Sequence, residues 1–365
     1  MRPRAIFIAA TGQNVGKTTI CLGILAALHK RLSQVGFIKP VGQQHIQICE
    51  GLNVDKDVVL FKQHFNLQSS YEDMSPVILP AGFTRDFLDR KIDEAALEQR
   101  IVTSFQKIYQ QYSFTLVEGT GHIGVGSIVN MCNAKVAALL NLDVVIIASG
   151  GLGSAHDELA LNIALCQKYG VKVSGVILNR VLQDKRSMIE DYFPKALKHW
   201  NIPLLGCIPY SAFLSSPTLK DYASLFKVSL IAGHPHMYSH FQHSRLVADS
   251  LEAYQNKIFP NELIITPANR EDIILATLER HQQAKAHQLD MYGLLLTGDQ
   301  APSAFILDQI KKLDAPALYT PIDSYEAMKM ITSFTAKTRG EDLVKIEQAI
   351  QLVENHLDMD LLLSH

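Results

Sequence analysis

The stretch that most constrains the fold lies at residues 5–28, where an apolar run, a short polar loop and a second apolar pattern follow one another directly. The run at residues 5–10 has the continuous apolar character of a buried strand, and residues 20–28 have the apolar spacing of a helix. The loop between them ends in Gly16-Lys17-Thr18-Thr19. A strand, a glycine-bearing loop and a helix in this order indicate a loop whose backbone N–H groups, with the helix N-terminus, bind a phosphate.

This loop departs at one position from the usual pattern G-x-x-x-x-G-K-[ST]. Thr11 stands where the first glycine is expected, and the glycine follows one residue later, at Gly12. In such a loop Lys17 reaches the β- and γ-phosphates, and the Thr18 hydroxyl binds magnesium. The alternative is an ordinary strand-to-helix turn that contains Gly-Lys-Thr by chance. The flanking strand and helix favour the phosphate-binding loop.

Buried apolar strands and helical patterns alternate from this loop to about residue 210. That alternation predicts an α/β fold with a doubly wound, mostly parallel sheet. After residue 210 a stretch rich in serine and proline precedes a shorter series of strands and helices. We therefore predict a P-loop domain over residues 1–212, a linker over 213–225, and a second, smaller α/β domain over 226–365.

The composition narrows the class of protein. Hydrophobic residues make up 47% of the 365 residues and charged residues 19%, which is enough apolar material for two cores. The formal net charge of -2 predicts no general affinity for nucleic acid. The longest apolar region, residues 136–147, contains Asn141 and Asp143 and falls short of the ~20 residues that a membrane span needs.

The cysteines and the N-terminus predict where the protein resides. The first strand starts so near residue 4 that no secretory signal is expected before it. The five cysteines are scattered without a C-x-x-C pair, which is typical of reduced, mostly buried thiols in a cytoplasmic protein. They are Cys21, Cys49, Cys132, Cys166 and Cys207.

Charged residues at predicted strand ends are candidates for the rest of the site. Glu118 ends a buried strand and is followed by glycine, so its carboxylate is expected to face the ligand edge of the sheet and to bind magnesium. Lys39 ends the second strand at the same edge. Either Asp55 or Asp57 would add a carboxylate at a helix start, where acids usually serve as caps, and spacing alone leaves these two open.

The histidines are two further candidates, one for ligand binding and one for metal binding, on weaker evidence. His122 lies in the glycine-rich segment after Glu118 and would be near a ligand there. Four imidazoles fall within ten residues, which invites a zinc interpretation, but no cysteine or close acid pair accompanies them. A surface loop of histidines is therefore the favoured interpretation of His234, His236, His240 and His243.

The first half of the chain resembles the dethiobiotin synthetase family of P-loop proteins along the whole predicted domain. The matching segments are residues 11–18, 37–41, 57–60, 117–121, 151–154, 175–179 and 205–209. The resemblance implies ATP and magnesium as cofactors. Its implied nucleotide-binding residues are Thr11, Gly12, Gln13, Asn14, Val15, Gly16, Lys17, Thr18 and Thr19, with Asn179 near the adenine.

The same resemblance implies a metal and a catalytic set. Magnesium would be held by Thr18, Asp57 and Glu118, which favours Asp57 over its neighbour Asp55. Lys17 and Lys39 would act on the phosphates or on an acid substrate.

The second half resembles the DRTGG domain, with residues 263–276 as its core and residues 293–298 and 345–362 as support. In this order the two domains resemble the N-terminal regulatory region of long phosphate acetyltransferases. Acetyl transfer itself would need a further domain. The acceptor segments at residues 41–45 and 75–77 differ from those of dethiobiotin synthetases.

Two functions therefore stay open. One is an ATP-binding protein with a regulatory or assembly role. The other is an ATP-dependent ligase or cyclase that activates a small carboxylate or carbamate. The expected partners are a nucleotide, a small-molecule acid or effector, and a second copy of the chain.

Overall fold

The computed structural model describes residues 4–49, 51–257, 259–287 and 291–364. The chain divides into two compact units. The first comprises the residues up to Ser211 together with those from Thr338 onward, and the second runs from Ala212 to Lys337.

Within the described residues, the first unit has a main sheet of six strands and two smaller sheets of two strands each. Its strands are β1 (Ala5–Ala10), β2 (Val35–Ile38), β3 (Val41–Gly42), β4 (His45–Cys49), β5 (Leu52–Asp55), β6 (Val77–Ile78), β7 (Phe114–His122), β8 (Val144–Ser149), β9 (Val173–Val181) and β10 (Leu204–Pro209). Its helices up to residue 211 are α1 (Lys17–Arg31), α2 (Lys56–His64), α3 (Tyr71–Met74), α4 (Phe83–Leu88), α5 (Glu94–Gln111), α6 (Asn133–Leu139), α7 (Gly153–Lys168) and α8 (Arg186–Leu197).

The main sheet has the order β10-β9-β8-β1-β7-β2, and each of its pairings is parallel. β1 lies between β7 and β8, and every one of its residues is buried. This explains its unbroken apolar run, because a central parallel strand is covered on both faces. The prediction of an α/β fold with a mostly parallel sheet is confirmed.

Between residues 39 and 92 the structure contains several short strands and helices. The second strand, predicted to end at Lys39, ends at Ile38, and after Pro40 β3 pairs with β6 in a separate two-stranded sheet. The polar stretch after residue 43 contains the antiparallel hairpin of β4 and β5. Residues 66–92 include α3, β6 and α4.

The second unit has a five-stranded sheet of its own. Its elements are α9 (Ala212–Ser215), α10 (Leu219–Phe226), β11 (Leu230–Ala232), β12 (His243–Leu246), α11 (Leu251–Gln255), β13 (Glu262–Pro267), α12 (Glu271–His287), β14 (Tyr292–Thr297), α13 (Ala304–Leu313), β15 (Ala317–Thr320) and α14 (Ser324–Ser333). The strand order is β11-β15-β14-β13-β12, with only the β11–β15 pairing antiparallel. Separate apolar clusters contain Ile264 with Leu294, and Leu263 with Leu295, as the alternation of side chains along a strand requires.

The predicted linker over 213–225 is part of this second unit. Thr218 begins α10 with a capping box, in which its side chain accepts from the Asp221 N–H while the Asp221 carboxylate accepts from the Thr218 N–H. Leu219, Tyr222 and Phe226 of α10 belong to one of the second unit's apolar clusters. The serine and proline residues therefore mark a helix start rather than a free connection.

The last helices differ most from the predicted division of the chain. The helices α15 (Leu343–Glu354) and α16 (Met359–Ser364) fall within the first unit, whereas the sequence placed them in the second domain. Val353 packs so closely on α1 that a Cβ added to Gly23 would lie 2.3 Å from the Val353 Cβ. Leu357 forms a bridge with Gly206 of β10. The apolar face of this tail therefore completes the core of the P-loop unit.

Two further observations concern the chain as a whole. Four cysteine thiols are free and buried, at Cys21, Cys132, Cys166 and Cys207, and the side chain of Cys49 lies outside the described ones. Within the described ranges, no helix has the length and apolar character needed to cross a bilayer.

Candidate nucleotide-binding site

The loop between β1 and α1 has the left-handed backbone that a phosphate-binding loop uses. Asn14 has φ 57° and Gly16, which precedes α1, has φ 98°. A side chain at Gly16 is also sterically excluded, because its Cβ would lie 2.2 Å from the Asn179 Nδ2. That amide nitrogen donates to the Val15 carbonyl at 2.7 Å. Asn179 at the end of β9 therefore fixes the conformation of the loop.

Thr11, at the position of the missing first glycine, is held by α7. Its hydroxyl donates to Glu158 Oε2 at 2.8 Å, and its backbone N–H donates to the Ile147 carbonyl at 2.9 Å. Asn162 on the same helix donates to the Thr11 carbonyl at 3.4 Å and accepts from the Ile123 N–H at 3.2 Å. These contacts tie the loop to the glycine-rich segment after β7.

Lys39 lies at the centre of a cluster of charged side chains. Its Nζ forms a short contact with Asp57 Oδ2, and it lies 3.0 Å from Asp55 Oδ1 and 3.8 Å from Glu118 Oε1. The Lys39, Asp55 and Glu118 side chains are each less than a tenth exposed, and that of Asp57 is 24% exposed. Burial of so many charges is sustained only when they are paired, as they are here.

The local backbone explains why these side chains meet. Lys39 follows β2, and its N–H is fixed by the Met74 carbonyl at 2.9 Å. Glu118 lies in β7 directly beside Ile8 of β1, close to the start of the loop. Asp55 is the N-cap of α2, where its Oδ1 accepts from the Asp57 N–H at 3.0 Å. Parallel strand ends and one helix start thus converge at the ligand edge of the sheet.

Two residues of α1 extend toward the same cluster. Thr18 donates from its hydroxyl to Glu118 Oε1 at 3.4 Å, and Lys17 donates from its Nζ to the Gly121 carbonyl at 2.7 Å. Asn133 holds the segment that supplies this carbonyl, since its side chain bonds the Thr120 N–H, the Thr120 carbonyl and the His122 carbonyl. The lysine of the loop is therefore held against the glycine-rich segment that follows Glu118.

The cluster perturbs the protonation of its members. Burial raises the pKa of Glu118 to about 7, although Lys39 opposes the shift. Burial also raises the pKa of Asp55 and lowers that of Lys17. For Lys39 burial acts to lower the pKa, but the carboxylates of Asp57, Glu118 and Asp55 outweigh it and raise the value. Perturbed groups that converge at one strand edge are typical of functional sites.

The donors present fit magnesium held jointly with a phosphate. Thr18, Glu118 and Asp57 carry oxygen atoms of the kind that magnesium binds, and Glu118 Oε2 is buried with no hydrogen-bond partner among the described residues. Magnesium in nucleotide sites is usually held by one or two carboxylates and the phosphates rather than by a complete protein cage. The described part of the chain contains no group of three His, Cys, Asp or Glu side chains that could hold a metal ion.

The candidate histidines make contacts of their own. His122 accepts the Gly124 N–H at its Nδ1, 3.1 Å away, and is exposed. In the second unit, His240 Nδ1 lies 3.1 Å from the Ser216 hydroxyl, and the His243 ring packs at 5.1 Å from that of Phe259. The interpretation of His234, His236, His240 and His243 as a surface loop of histidines stays a prediction.

Sequence reasoning missed the residues that hold the loop and the glycine-rich segment. Glu158 and Asn162 are far from the loop in sequence, and a polar residue on a helix gives no sign of its partner. Asn133 is also only 3% exposed. A buried asparagine inside an apolar helical pattern is the signal that would have identified Asn133 and Asn162, because buried amides need partners.

Two family models match this chain, one after the other. The family model AAA_26, described as an AAA domain, matches residues 4–218, and the DRTGG domain model matches residues 221–334. A phosphate acetyltransferase of Nitratidesulfovibrio vulgaris is 26% identical over 362 residues, covering 97% of this chain and 50% of that protein. The ATP-dependent dethiobiotin synthetase BioD of Methanococcus vannielii is 25% identical over 205 residues, covering 56% of this chain and 92% of that enzyme.

Among solved structures, the MinD cell division protein of Aquifex aeolicus matches with 16% identity and a TM-score of 0.37, covering 58% of this chain and 84% of that one. The chain spans about half the length of the phosphate acetyltransferases that it matches. Both predicted resemblances, to dethiobiotin synthetases and to the two-domain N-terminal region of phosphate acetyltransferases, are confirmed. The chain belongs to the AAA_26 family of dethiobiotin synthetase-like P-loop proteins, with a DRTGG domain after its P-loop domain.

Proposed function

We propose that this protein binds ATP with magnesium in its P-loop unit and serves a regulatory or assembly role, as the N-terminal part of a phosphate acetyltransferase would. One observation supports this above all others. Lys17, Lys39, Thr18, Asp57 and Glu118 converge beside the loop at the carboxyl edge of the parallel sheet.

The proposed roles follow from the chemistry of each side chain. The backbone of residues 11–19 and the N-terminus of α1 bind the phosphates, because the first N–H groups of a helix have no acceptor within it. Thr18, Asp57 and Glu118 hold magnesium, which would neutralise charge on the phosphates. Lys17 exchanges its present acceptor, the Gly121 carbonyl, for a phosphate oxygen. Asn179, next to the loop, is proposed to lie near the adenine.

The acceptor side of the site favours regulation over catalysis. The segments that bind the acid substrate in dethiobiotin synthetases differ here at residues 41–45 and 75–77. In the structure Val41 and Val77 pair in a small sheet, and Ser75 accepts the Asp55 N–H at 3.1 Å instead of facing a substrate. We therefore propose that the DRTGG unit senses a small acid or other effector, or mediates assembly.

A second candidate function is an ATP-dependent carbon–nitrogen ligase or cyclase acting on a small carboxylate or carbamate. The similarity to BioD over 92% of that enzyme supports it. Nitrogen would come from ammonia or from an amine of the substrate, because no cysteine lies in a nucleophile-elbow context. We also propose that the protein resides in the cytoplasm as a homodimer. Light scattering that shows only monomer at micromolar concentration would remove the dimer.

Calorimetry and ATP turnover separate these functions. Wild-type protein should bind ATP only weakly without magnesium and at least about tenfold more tightly with it, and Lys17→Ala should abolish the magnesium-dependent part. Lys172→Ala, an exposed lysine of the same unit paired with Asp143, is the matched control. ATP consumption that is stimulated by one of a panel of small acids and lost in Lys17→Ala would replace the regulatory proposal with the ligase. No ATP binding with magnesium would reject both.

A further inference from the structure

The cluster contains one carboxylate that the proposed magnesium site does not use. Asp55 is only 1% exposed and lies deeper than Asp57. Its Oδ1 bonds both the Asp57 N–H and the Lys39 ammonium at 3.0 Å. Its Oδ2 is buried and has no hydrogen-bond partner among the described residues. A capping role explains only the first of these bonds, since any asparagine or serine would cap α2 as well.

The backbone around Asp55 leaves space for its carboxylate, because the residue opposite it is a glycine. A Cβ added to Gly42 would lie 2.7 Å from Asp55 Oδ2 and 2.8 Å from the Asp55 Cβ. The Ser75 hydroxyl accepts the Asp55 N–H at 3.1 Å, which fixes the backbone at this point. A buried ionisable group with a fixed backbone and a glycine opposite it is costly to maintain unless it has a specific partner. That partner is Lys39.

Lys39 lies where it would compete with a divalent cation for carboxylates, and Asp55 offers it another partner. In the structure the ammonium contacts Asp57 and lies 3.8 Å from Glu118, the two carboxylates proposed to hold magnesium. A divalent cation that binds these carboxylates competes with Lys39 for Asp57 and repels the ammonium by its own positive charge. Without another anion the buried ammonium would then be unpaired, which disfavours metal binding.

We propose that Asp55 is a positioning residue that keeps Lys39 paired inside the site when magnesium and nucleotide take Asp57 and Glu118. This rests on the proposed binding of ATP with magnesium. In the structure Lys39 contacts Asp57 and Asp55 and lies 3.8 Å from Glu118. In the loaded protein Asp55 keeps the ammonium in place beside the phosphates, so Lys39 loses Asp57 and Glu118 as partners without leaving the site.

The test is a titration of the full chain with Mn²⁺ and ATP, with Mn²⁺ followed by electron paramagnetic resonance. Asp55→Asn keeps the shape and the cap and removes the charge. It should weaken binding of Mn²⁺ with ATP by about tenfold, since leaving a buried cation unpaired is strongly unfavourable. Asp93→Asn, the same change at the exposed N-cap of α5, is the matched control and should have no effect.

The double variant distinguishes positioning from direct metal binding. In the Lys39→Met background the ammonium is absent, so adding Asp55→Asn should weaken binding by no more than about twofold. An equal loss in both backgrounds would mean that Asp55 binds the metal itself and would overturn the proposal. So would an Asp55→Asn variant that binds like Asp93→Asn.

Two further measurements test the proposal, one on Gly42→Ala and one on the wild-type protein. Gly42→Ala displaces the Asp55 carboxylate without changing any charge, and it should weaken binding in the same direction even if Asp55→Asn fails to fold. If Gly42→Ala binds as wild type does, the proposal is wrong. Wild-type protein that binds no Mn²⁺ with ATP rejects the proposed function as a whole, whereas normal wild-type binding with an unaffected Asp55→Asn rejects this inference alone.

Discussion

Replacing Val353 by alanine tests whether the C-terminal helices are part of the P-loop unit. Val353 is 1% exposed and packs against α1 at Gly23. The change removes the equivalent of two methyl groups, worth about 0.8 kcal/mol each in transfer free energy. It also leaves a cavity, which adds a comparable amount to the loss of stability. We expect the free energy of unfolding of the first unit to fall by about 2–3 kcal/mol.

The chain offers a specific probe and a matched control for this measurement. Trp200 is the single tryptophan and packs on the core of the first unit, so its fluorescence follows that unit during urea unfolding. With a slope of about 2.5 kcal/mol/M the midpoint should fall by about 1 M. Val344→Ala, at a 59% exposed position of the same helix, should change the free energy by less than about 0.5 kcal/mol. Equal midpoints for the two variants would refute the assignment of this helix to the core.

Two further predictions concern the loop and the second unit. Gly16→Ala should abolish ATP binding measured by calorimetry, because it adds a side chain at positive φ and forces Asn179 away from the loop, and unchanged affinity would contradict the geometry. Burial lowers the pKa of His281 below 6.5, and Lys285 and His236 lower it further, so the unfolded chain binds the proton more readily. Stability from the neutral imidazole is therefore complete above pH 6.5 and lost as pH falls through the lowered value. Hydrogen exchange in β13 and β14 should accelerate between pH 7.5 and 5.5, after correction for the intrinsic rate, and His281→Leu should remove that dependence.

The sequence predicted the parts of the fold that depend on short-range pattern. The strand, loop and helix at residues 5–28 form as expected, because their apolar periods and the glycine-bearing loop are local signals. The convergence of Lys39 and Glu118 near the loop followed from the rule that ligands bind at the carboxyl ends of parallel strands. That rule did not decide between Asp55 and Asp57. In the structure both carboxylates contact Lys39.

Long-range packing limited the remaining predictions. The amphipathic pattern of α15 shows that the helix buries one face but not which core receives that face. Its return to α1 depends on the fit of Val353 to Gly23, two residues more than 300 positions apart. The serine and proline residues before α10 resembled a linker because a capping box and a flexible connection share a composition.

The most direct test of the central claim is a crystal structure of the full chain with a non-hydrolysable ATP analogue and magnesium. The account predicts that the phosphates lie on residues 11–19, that Thr18, Asp57 and Glu118 surround the metal, and that Lys17 has left the Gly121 carbonyl for a phosphate oxygen. Nucleotide bound elsewhere on the molecule, with Lys17 still on that carbonyl, would contradict it.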